Sequence, residues 1–339
     1  MQSGRRVLLL VERDELYGRT FFIENLGAEI VRGIPHDVRP DDIAICFGYA
    51  SLLRHAVALC RSGIRNVLFC EAGFLRSVLL DNSMSVYDQS ICFFVDDIGF
   101  HFDSTVPTRI ECMLNDPSFS LGESELKRAV SLRSRLVGAK LTKYNDQPFS
   151  IALPPKRGKR ILVVEQARND WAVLKSRGSY RTFQTMLQSA LDENPDAQIL
   201  VKVHPDSLDG KRGGTRKSYY GHLKDRDGIT IIREKVNPFV LLESVDKVYV
   251  FSSMLGFEAA MMDKEVHVFG RPCYAGWGAT FDRENFPRRT QQRSLDEILY
   301  CLYFTYQKYK NLNGEWCTAE EAVDVLLRLR DQYLMSAAR

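Results

Sequence analysis

The strongest constraint in this sequence is the repeated alternation of short apolar, β-branched runs with amphipathic helical patterns, sustained from Arg6 to the C-terminal region. In the first half the runs read RVLLLVE (6–12), DIAICFG (42–48), NVLFCEA (66–72) and SICFFVDD (90–97), separated by the helical patterns at 19–27 and 51–63. Runs of this length bounded by turn residues and spaced by helices predict parallel sheets covered by helices on both faces. A further helix is expected over 121–141. The stretch 144–159 then breaks periodicity with three prolines and a basic cluster, and marks a domain boundary. Beyond it the pattern restarts with strands at 160–166, 197–205, 229–234, 247–253 and 265–270 and helices at 182–193, 238–244 and 254–263. Two closing helices follow at 294–309 and 318–335. The expectation is α/β, GT-B-like, with two Rossmann-like domains, 1–148 and 149–339, facing a central cleft. Fold alone does not give function.

Composition narrows the classes. With 339 residues, 45% of them hydrophobic and 26% charged, the chain can fill two cores of about 150 residues each, which excludes a disordered or fibrous protein. The N-terminal apolar run stops at Glu12, Arg13 and Asp14, so it reads as a buried strand and not as a signal peptide. No stretch reaches the roughly 18 to 20 apolar residues of a membrane span. Eight cysteines lie scattered with no Cys-x-x-Cys pair, as reduced core thiols do, and predict neither a disulfide framework nor a zinc site. A net charge of only +3 and the absence of an aromatic-basic RNA motif argue against nucleic acid as partner. Basic clusters at 156–160, 211–217 and 288–293 read as solvated faces or as surfaces for anionic glycans near an anionic membrane. The protein is expected to be cytoplasmic, touching the inner membrane and the capsule machinery at most peripherally.

Four stretches carry chemistry. In KVYVFSSMLGFEAAM (247–261) a strand runs into a helix at Ser252 and Ser253, where an N-cap belongs and where free N–H groups can receive a phosphate. Glu258, about a turn further on, is placed to meet ribose hydroxyls. In VKVHPDS (201–207) His204 stands at a strand end beside Lys202, with Pro205 stopping the ladder; such a histidine can donate to or protonate a leaving phosphate. In NVLFCEAGFLRS (66–77) Glu71 falls on the cleft edge as a general base, and Arg76 can pair with a carboxylate or phosphate. In ILVVEQARND (161–170) Gln166, Arg168 and Asp170 occupy the loop facing the same cleft. Each has a plainer reading: a capped core helix, a structural histidine, a surface ion pair, a turn aspartate. Gly276, Trp277 and Gly278 form a tight loop where backbone approaches substrate and the indole packs on a sugar face, or where a tryptophan is buried for structure.

With those residues in view, the chain resembles the capsule-type Kdo transferases, a capsular polysaccharide synthesis family. The matching stretches are EAGFLRS (71–77), VDDIGFHFD (95–103), EQARND (165–170), VKVHPD (201–206), SSMLGFEAAMMDKEVHVFG (252–270) and RPCYAGWGATFD (271–282), in family order over about two hundred residues. The acidic-glycine pair Glu71 and Gly73 and the His204-Pro205 pair are also similar to motifs of bacterial sialyltransferases. The resemblance implies an acceptor-side first domain, a CMP-sugar-binding second domain with closing C-terminal helices, CMP-Kdo as donor, no cofactor, no metal and retention of the β configuration. It makes Asp170 the nucleophile of a double displacement, His204 and the 252–253 cap the groups that meet departing CMP, and Glu71 the base for the acceptor hydroxyl. Arg76, Arg168 and Lys202 are candidates for the sugar carboxylate. The acceptor is expected to be a Kdo- or GlcNAc-terminated glycan or glycolipid. Two departures stand out: Glu71-Ala72-Gly73 where the family usually has Glu-Asp-Gly, and Glu165-Gln166 where it has Gly-Gln. The alternatives are another nucleotide-sugar transferase, using CMP-sialic acid or a UDP-sugar, and a non-catalytic glycan-binding or export partner.

Overall fold

The computed structural model describes residues 6–12, 28–79, 85–204 and 218–337. The sequence-predicted helix over 19–27, Pro205 and the basic cluster at 211–217 lie outside them. Among the described residues the first sheet is built from β1 (Arg6–Val11), β2 (Glu29–Arg32), β3 (Ile43–Phe47), β4 (Asn66–Ala72) and β5 (Cys92–Asp96), with α1 (Tyr49–Ser62) crossing from β3 to β4. The helices α2 (Arg109–Asn115) and α3 (Glu123–Ala139) lead to the second half. There β6 (Arg160–Val164), α4 (Trp171–Lys175), α5 (Tyr180–Asp192), β7 (Gln198–Lys202), β8 (Ile229–Ile232), α6 (Pro238–Glu243), β9 (Lys247–Val250), α7 (Leu255–Met261), β10 (Glu265–Val268) and β11 (Phe281–Asp282) follow in order. The second sheet, ordered β11-β10-β9-β6-β7-β8, is parallel throughout. Its central strands β6 and β9 are almost wholly buried, as the continuous apolar runs RILVV and KVYV require of strands covered on both faces.

The first sheet departs from the all-parallel expectation. β1, β2, β3 and β4 are parallel neighbours, but β5 runs antiparallel to β4. A parallel return needs a crossover of a dozen or more residues, usually helical, and the described residues between β4 and β5 contain no helix. The C-terminal region differs more. The helix expected over 294–309 is α8 (Leu295–Tyr300) continued by a π-helical turn to Tyr306, after which β12 (Gln307–Lys310) and β13 (Trp316–Cys317) join the first sheet beside β5. Residues 307–317, assigned by sequence to the second half, therefore complete the first one. Gln307 fixes the return: its buried side chain accepts the Phe74 N–H at 2.6 Å and donates to Leu302 O at 3.1 Å. The last helix, α9 (Ala319–Ala337), then packs against β12 and α3.

One hydrophobic core runs through both halves, joining Tyr49, Phe74 and Phe94 to Leu162, Val164 and Val250. Polar struts reinforce it. Arg288 and Arg289 both donate to the buried Glu111 carboxylate, through their Nε atoms at 2.9 and 3.1 Å. Arg293 donates to the carbonyls of Leu114, Asp116 and Phe119 and so closes the C-terminal end of α2. The basic cluster at 288–293 is thus a set of struts between the halves, not a solvated face.

Candidate functional site

The strand ends of the two sheets meet where α4 packs on the start of α1. The Trp171 ring lies 4.8 Å from the Tyr49 ring, Lys175 stands over Tyr49 and 3.4 Å from Asp103, and Ser104 donates to Lys175 O at 2.7 Å. This packing brings the residue before α4, Asp170, toward the penultimate residue of β4, Glu71. Gly48, at φ +81°, lets the chain turn from β3 into α1 directly beside Glu71: a Cβ there would sit 3.7 Å from Glu71 Oε2. Gly73 is demanded by packing, since a Cβ would overlap Cys92 Sγ and Gln307 Oε1.

Glu71 is half-buried, and its carboxylate accepts a long hydrogen bond, 3.3 Å, from the Ala72 N–H. Burial raises its pKa above the ordinary carboxylate value; Lys143 and Arg76 pull it back and the nearby Asp170 charge raises it further. Asp170 caps α4, accepting the Ala172 N–H on Oδ1 at 2.8 Å, after Asn169 turns the chain through φ +66°. The two acids proposed from sequence as base and nucleophile therefore approach one another across the junction of the halves, close enough for the Asp170 charge to act on Glu71.

On the second half the predicted residues are tied to one another. Gln166 Oε1 accepts the Ser252 N–H at 2.7 Å and Gln166 Nε2 donates to Ser252 Oγ at 3.2 Å, bracing the loop after β6 against the loop after its neighbour β9. Ser253 Oγ accepts from Leu255 N at 3.2 Å, while the residue in the cap position of α7 is Met254, which caps with no side chain. Ser252 is thus a partner of Gln166 and not the helix cap. His204 follows β7, half-buried, its main-chain N–H bound by the Glu165 carboxylate at 2.8 Å. Arg168 is half-exposed, its guanidinium 5.9 Å from the centre of the Tyr219 ring, which stacks on Phe183.

Five expectations need correction. Trp277 is fully buried, its indole N–H donated to Cys273 O at 2.9 Å, so it has no face to offer a sugar. Gly276 gives its N–H to Asp282 at 2.7 Å, and at φ +78° a Cβ would strike the Phe286 ring; its role is to shape the loop. Arg76 is buried, 3.3 Å from Tyr144 OH and 3.7 Å from the Asp88 carboxylate, so its guanidinium faces protein groups and presents no open fork to a substrate. Lys202 is also buried and donates to Val203 O at 2.9 Å; burial pulls it down to about 8. Glu258 lies inside the junction as well. Its carboxyl bonds Thr142 Oγ1 of the first half, and burial raises it to about 7.

Sequence reasoning passed over three residues. Lys143 is half-buried near Glu71, with no ion pair among the described residues; it falls between the helix expected over 121–141 and the stretch 144–159. His101 packs edge-on against Phe74 and Phe94 at 5.2 and 4.4 Å, and burial with the adjacent Lys143 charge brings it down to about 3, so the ring is neutral at physiological pH. Glu165 stands out in the sequence only as a departure from a pattern. Among the described residues no group of acidic, cysteine or histidine side chains could hold a metal ion, and no helix is long and apolar enough to cross a membrane.

The profile of a family described as capsule polysaccharide biosynthesis protein matches residues 125–314, more than half of the chain. The chain is 36% identical over 242 residues to the lipopolysaccharide-processing protein LpsZ of Rhizobium meliloti, covering 70% of this chain and 53% of that one. It is 35% identical over 272 residues to the capsule polysaccharide modification protein LipA of Neisseria meningitidis serogroup A, covering 77% of this chain and 37% of that one. It thus spans about half or less of the length of these curated relatives. Among solved structures, the beta Kdo 2,4 transferase of Thermosulfurimonas dismutans KpsC superposes with a TM-score of 0.81 at 30% identity, over 94% of this chain and 97% of that one. The beta Kdo 2,7 transferase of the same KpsC, at 23% identity and a TM-score of 0.67, covers 97% of this chain and 100% of that one and shows the same fold. The sheet architecture, the matched family profile and the full-length superposition agree: this chain belongs to the capsule polysaccharide biosynthesis protein family.

Proposed function

We propose that the chain is a glycosyltransferase that moves Kdo from CMP-Kdo to a Kdo- or GlcNAc-terminated glycan or glycolipid with retention of the β configuration. The observation that carries this reading is the convergence of Glu71 and Asp170 from opposite halves of a fold that superposes, along nearly its whole length, on a solved Kdo transferase. A retaining transfer at a ketosidic carbon proceeds by two displacements, because one direct attack would invert it. Asp170 is suited to the first. Its Oδ1 is held by Ala172 N–H, which fixes the carboxylate and leaves Oδ2 to attack C2 of the sugar. The C2–oxygen bond to phosphate breaks, its electron pair departs with CMP, and His204 donates to the leaving phosphate oxygen. In the second step an acceptor hydroxyl attacks C2, Glu71 takes its proton, and Asp170 is released. Burial keeps Glu71 a stronger base than an exposed carboxylate, and it does so in the second step too, when Asp170 is esterified and uncharged.

The corrected geometry also sorts the donor contacts. Arg76 and Lys202 are engaged internally, so the sugar carboxylate falls to half-exposed Arg168 on the second half and Lys143 on the first. Gln166, Ser252 and Ser253 shape the wall that receives the nucleotide, with Ser253 the hydroxyl nearest the start of α7. Glu258 supports that wall from inside the junction. The chemistry runs on side chains and asks for no cofactor or metal.

Intact-mass measurement after incubation with CMP-Kdo tests the reading. One Kdo residue should be added to the protein and be absent in Asp170→Asn; an adduct that persists in that variant removes Asp170 from the role. Release of UDP or of CMP from a sialic acid donor, with CMP-Kdo untouched, replaces the donor.

A further inference from the structure

His204 serves the departing phosphate in the scheme above, yet nothing in that scheme says what holds it there. The chain answers with a group of a kind rarely buried. Glu165 directly follows β6 with only 2% of its surface exposed and makes no ion pair among the described residues. Its Oε2 accepts the His204 N–H at 2.8 Å. Its Oε1 accepts Ser218 Oγ at 2.5 Å, Tyr220 N–H at 2.9 Å and Tyr219 N–H. Its own N–H donates to Lys202 O at 2.9 Å, the backbone step that leads into His204. A buried carboxylate without a cation is tolerated when several N–H and O–H donors satisfy it, and here all four approach from residue 204 and residues 218–220. Those residues flank the stretch 205–217 on either side in the sequence.

We propose that Glu165 is the positioning residue for His204: one carboxylate oxygen fixes the histidine main chain and the other anchors Ser218, Tyr219 and Tyr220, so both flanks are referenced to the end of β6. The proposal rests on the reading of His204 as the group that meets the leaving phosphate. Strand β6 is the right reference, because the same loop carries Asp170 five residues later. A single element then sets the spacing between nucleophile and leaving-group donor. Such spacing governs rate far more than affinity, since a shift of about 1 Å can cost a hundredfold in turnover.

The test is a double-mutant cycle on CMP release from CMP-Kdo, with melting curves for every variant. Glu165→Ala should lower kcat by about thirtyfold or more while changing KM by less than about threefold, and in a His204→Ala background it should cost less than about threefold, because residues that act as one unit are not additive. Glu165→Gln should fall between, since its amide oxygen can still accept from residues 218–220 while its NH2 confronts the His204 N–H. If Glu165→Ala does not fold, the same cycle with Glu165→Gln decides. An equal loss in both backgrounds, or an undiminished kcat, overturns the proposal. A wild-type protein that releases no CMP fails the functional reading instead. In that case the imidazole resonances of histidine-labelled protein still decide: those of His204 should shift in Glu165→Gln, and unmoved resonances overturn the positioning role.

Discussion

The two sides of the junction treat their acids differently. At the end of β4, Glu71 has a long hydrogen bond and is otherwise set among charges, with Lys143 and Arg76 of one sign and Asp170 of the other. At the end of β6, Glu165 has four donors and Gln166 is braced against Ser252 by hydrogen bonds in both directions. A carboxylate whose lone pairs are filled by the backbone holds shape, because moving a proton or forming a bond would strand those donors. One whose oxygens are uncommitted, and whose charge is set by neighbours, is available for chemistry. Saturation of hydrogen bonds thus separates scaffold from reacting groups even when both are acidic, both lie at strand ends and both face the same junction.

The sharpest way to break this distinction is at the two acids that keep an oxygen to spare, Glu71 and Asp170. Asp170→Asn keeps the cap on Ala172 N–H but removes the nucleophile, and transfer should fall by at least about a thousandfold. Glu71→Gln should slow transfer by about a hundredfold or more, the usual worth of a general base. The two variants should also differ in kind. Glu71→Gln still forms the sugar adduct and accumulates it, whereas Asp170→Asn forms none; adducts of equal yield in both, read by intact mass, would collapse the division of labour. In the wild type the rate of the second step should rise with pH through a value above the ordinary glutamate range, because burial favours the protonated acid.

Much of this is legible in the residues because strand ends and turns are local signals. NVLFCEA reads as a buried strand that must stop at Gly73, and the strand is Asn66–Ala72. KVYV, RILVV and QILVK are equally plain. What escapes is decided by distant partners. The segment 294–309 has helical periodicity throughout, yet Gln307 to Lys310 become a strand because the edge of β5 offers unpaired backbone groups and Gln307 fills a buried slot beside Cys92. Trp277 sits in a loop rich in glycine, a pattern shared by sugar-binding loops and buried corners; only the three-dimensional burial separates them. Arg76 and Lys202 look available because sequence shows charge but not Asp88 or the Val203 carbonyl beside them. Lys143 shows the reverse, a functional-looking ammonium in the short gap between an expected helix and the linker.

Glu258 tests the boundary between the two kinds of acid, since it is buried like Glu165 but among the described residues its carboxyl is bonded to Thr142 alone, across the halves. Its pKa is raised from 4.5 to about 7 by burial. For an acid whose folded value is raised, the neutral form's contribution to stability is complete below the unfolded value and is lost as pH rises through the folded one. Wild type should therefore lose stability between about pH 5 and pH 8 through this group, by at most about 3 kcal/mol. Glu258→Gln stays neutral and keeps an acceptor for Thr142, so its melting temperature should match wild type near pH 5 and exceed it at pH 8. Parallel melting curves at both pH values would mean that Glu258 is ionised in the folded protein and belongs with the uncommitted acids after all.

The smallest effect is also the most discriminating for the nucleotide wall. Gln166 was expected to touch the donor, yet its amide is spent on Ser252, holding two adjacent strand ends together. Removing it leaves the buried Ser252 N–H without its acceptor, which costs about 1 to 3 kcal/mol. Gln166→Ala should therefore lower stability by that amount while CMP binding, measured by calorimetry on the folded variant, weakens by less than about threefold, because the hydrogen bond it removes is internal to the protein. Gln166→Glu makes the converse point. The carboxylate can still accept from Ser252 N–H and Oγ, so stability should recover most of the loss, but it adds a negative charge beside the place assigned to an anionic nucleotide. If CMP affinity falls in Gln166→Glu and not in Gln166→Ala, Gln166 borders the phosphate without binding it. A large loss in Gln166→Ala itself would move the residue from strut to ligand, and the rule that saturated groups are scaffold would fail at the point where it is most exposed to test.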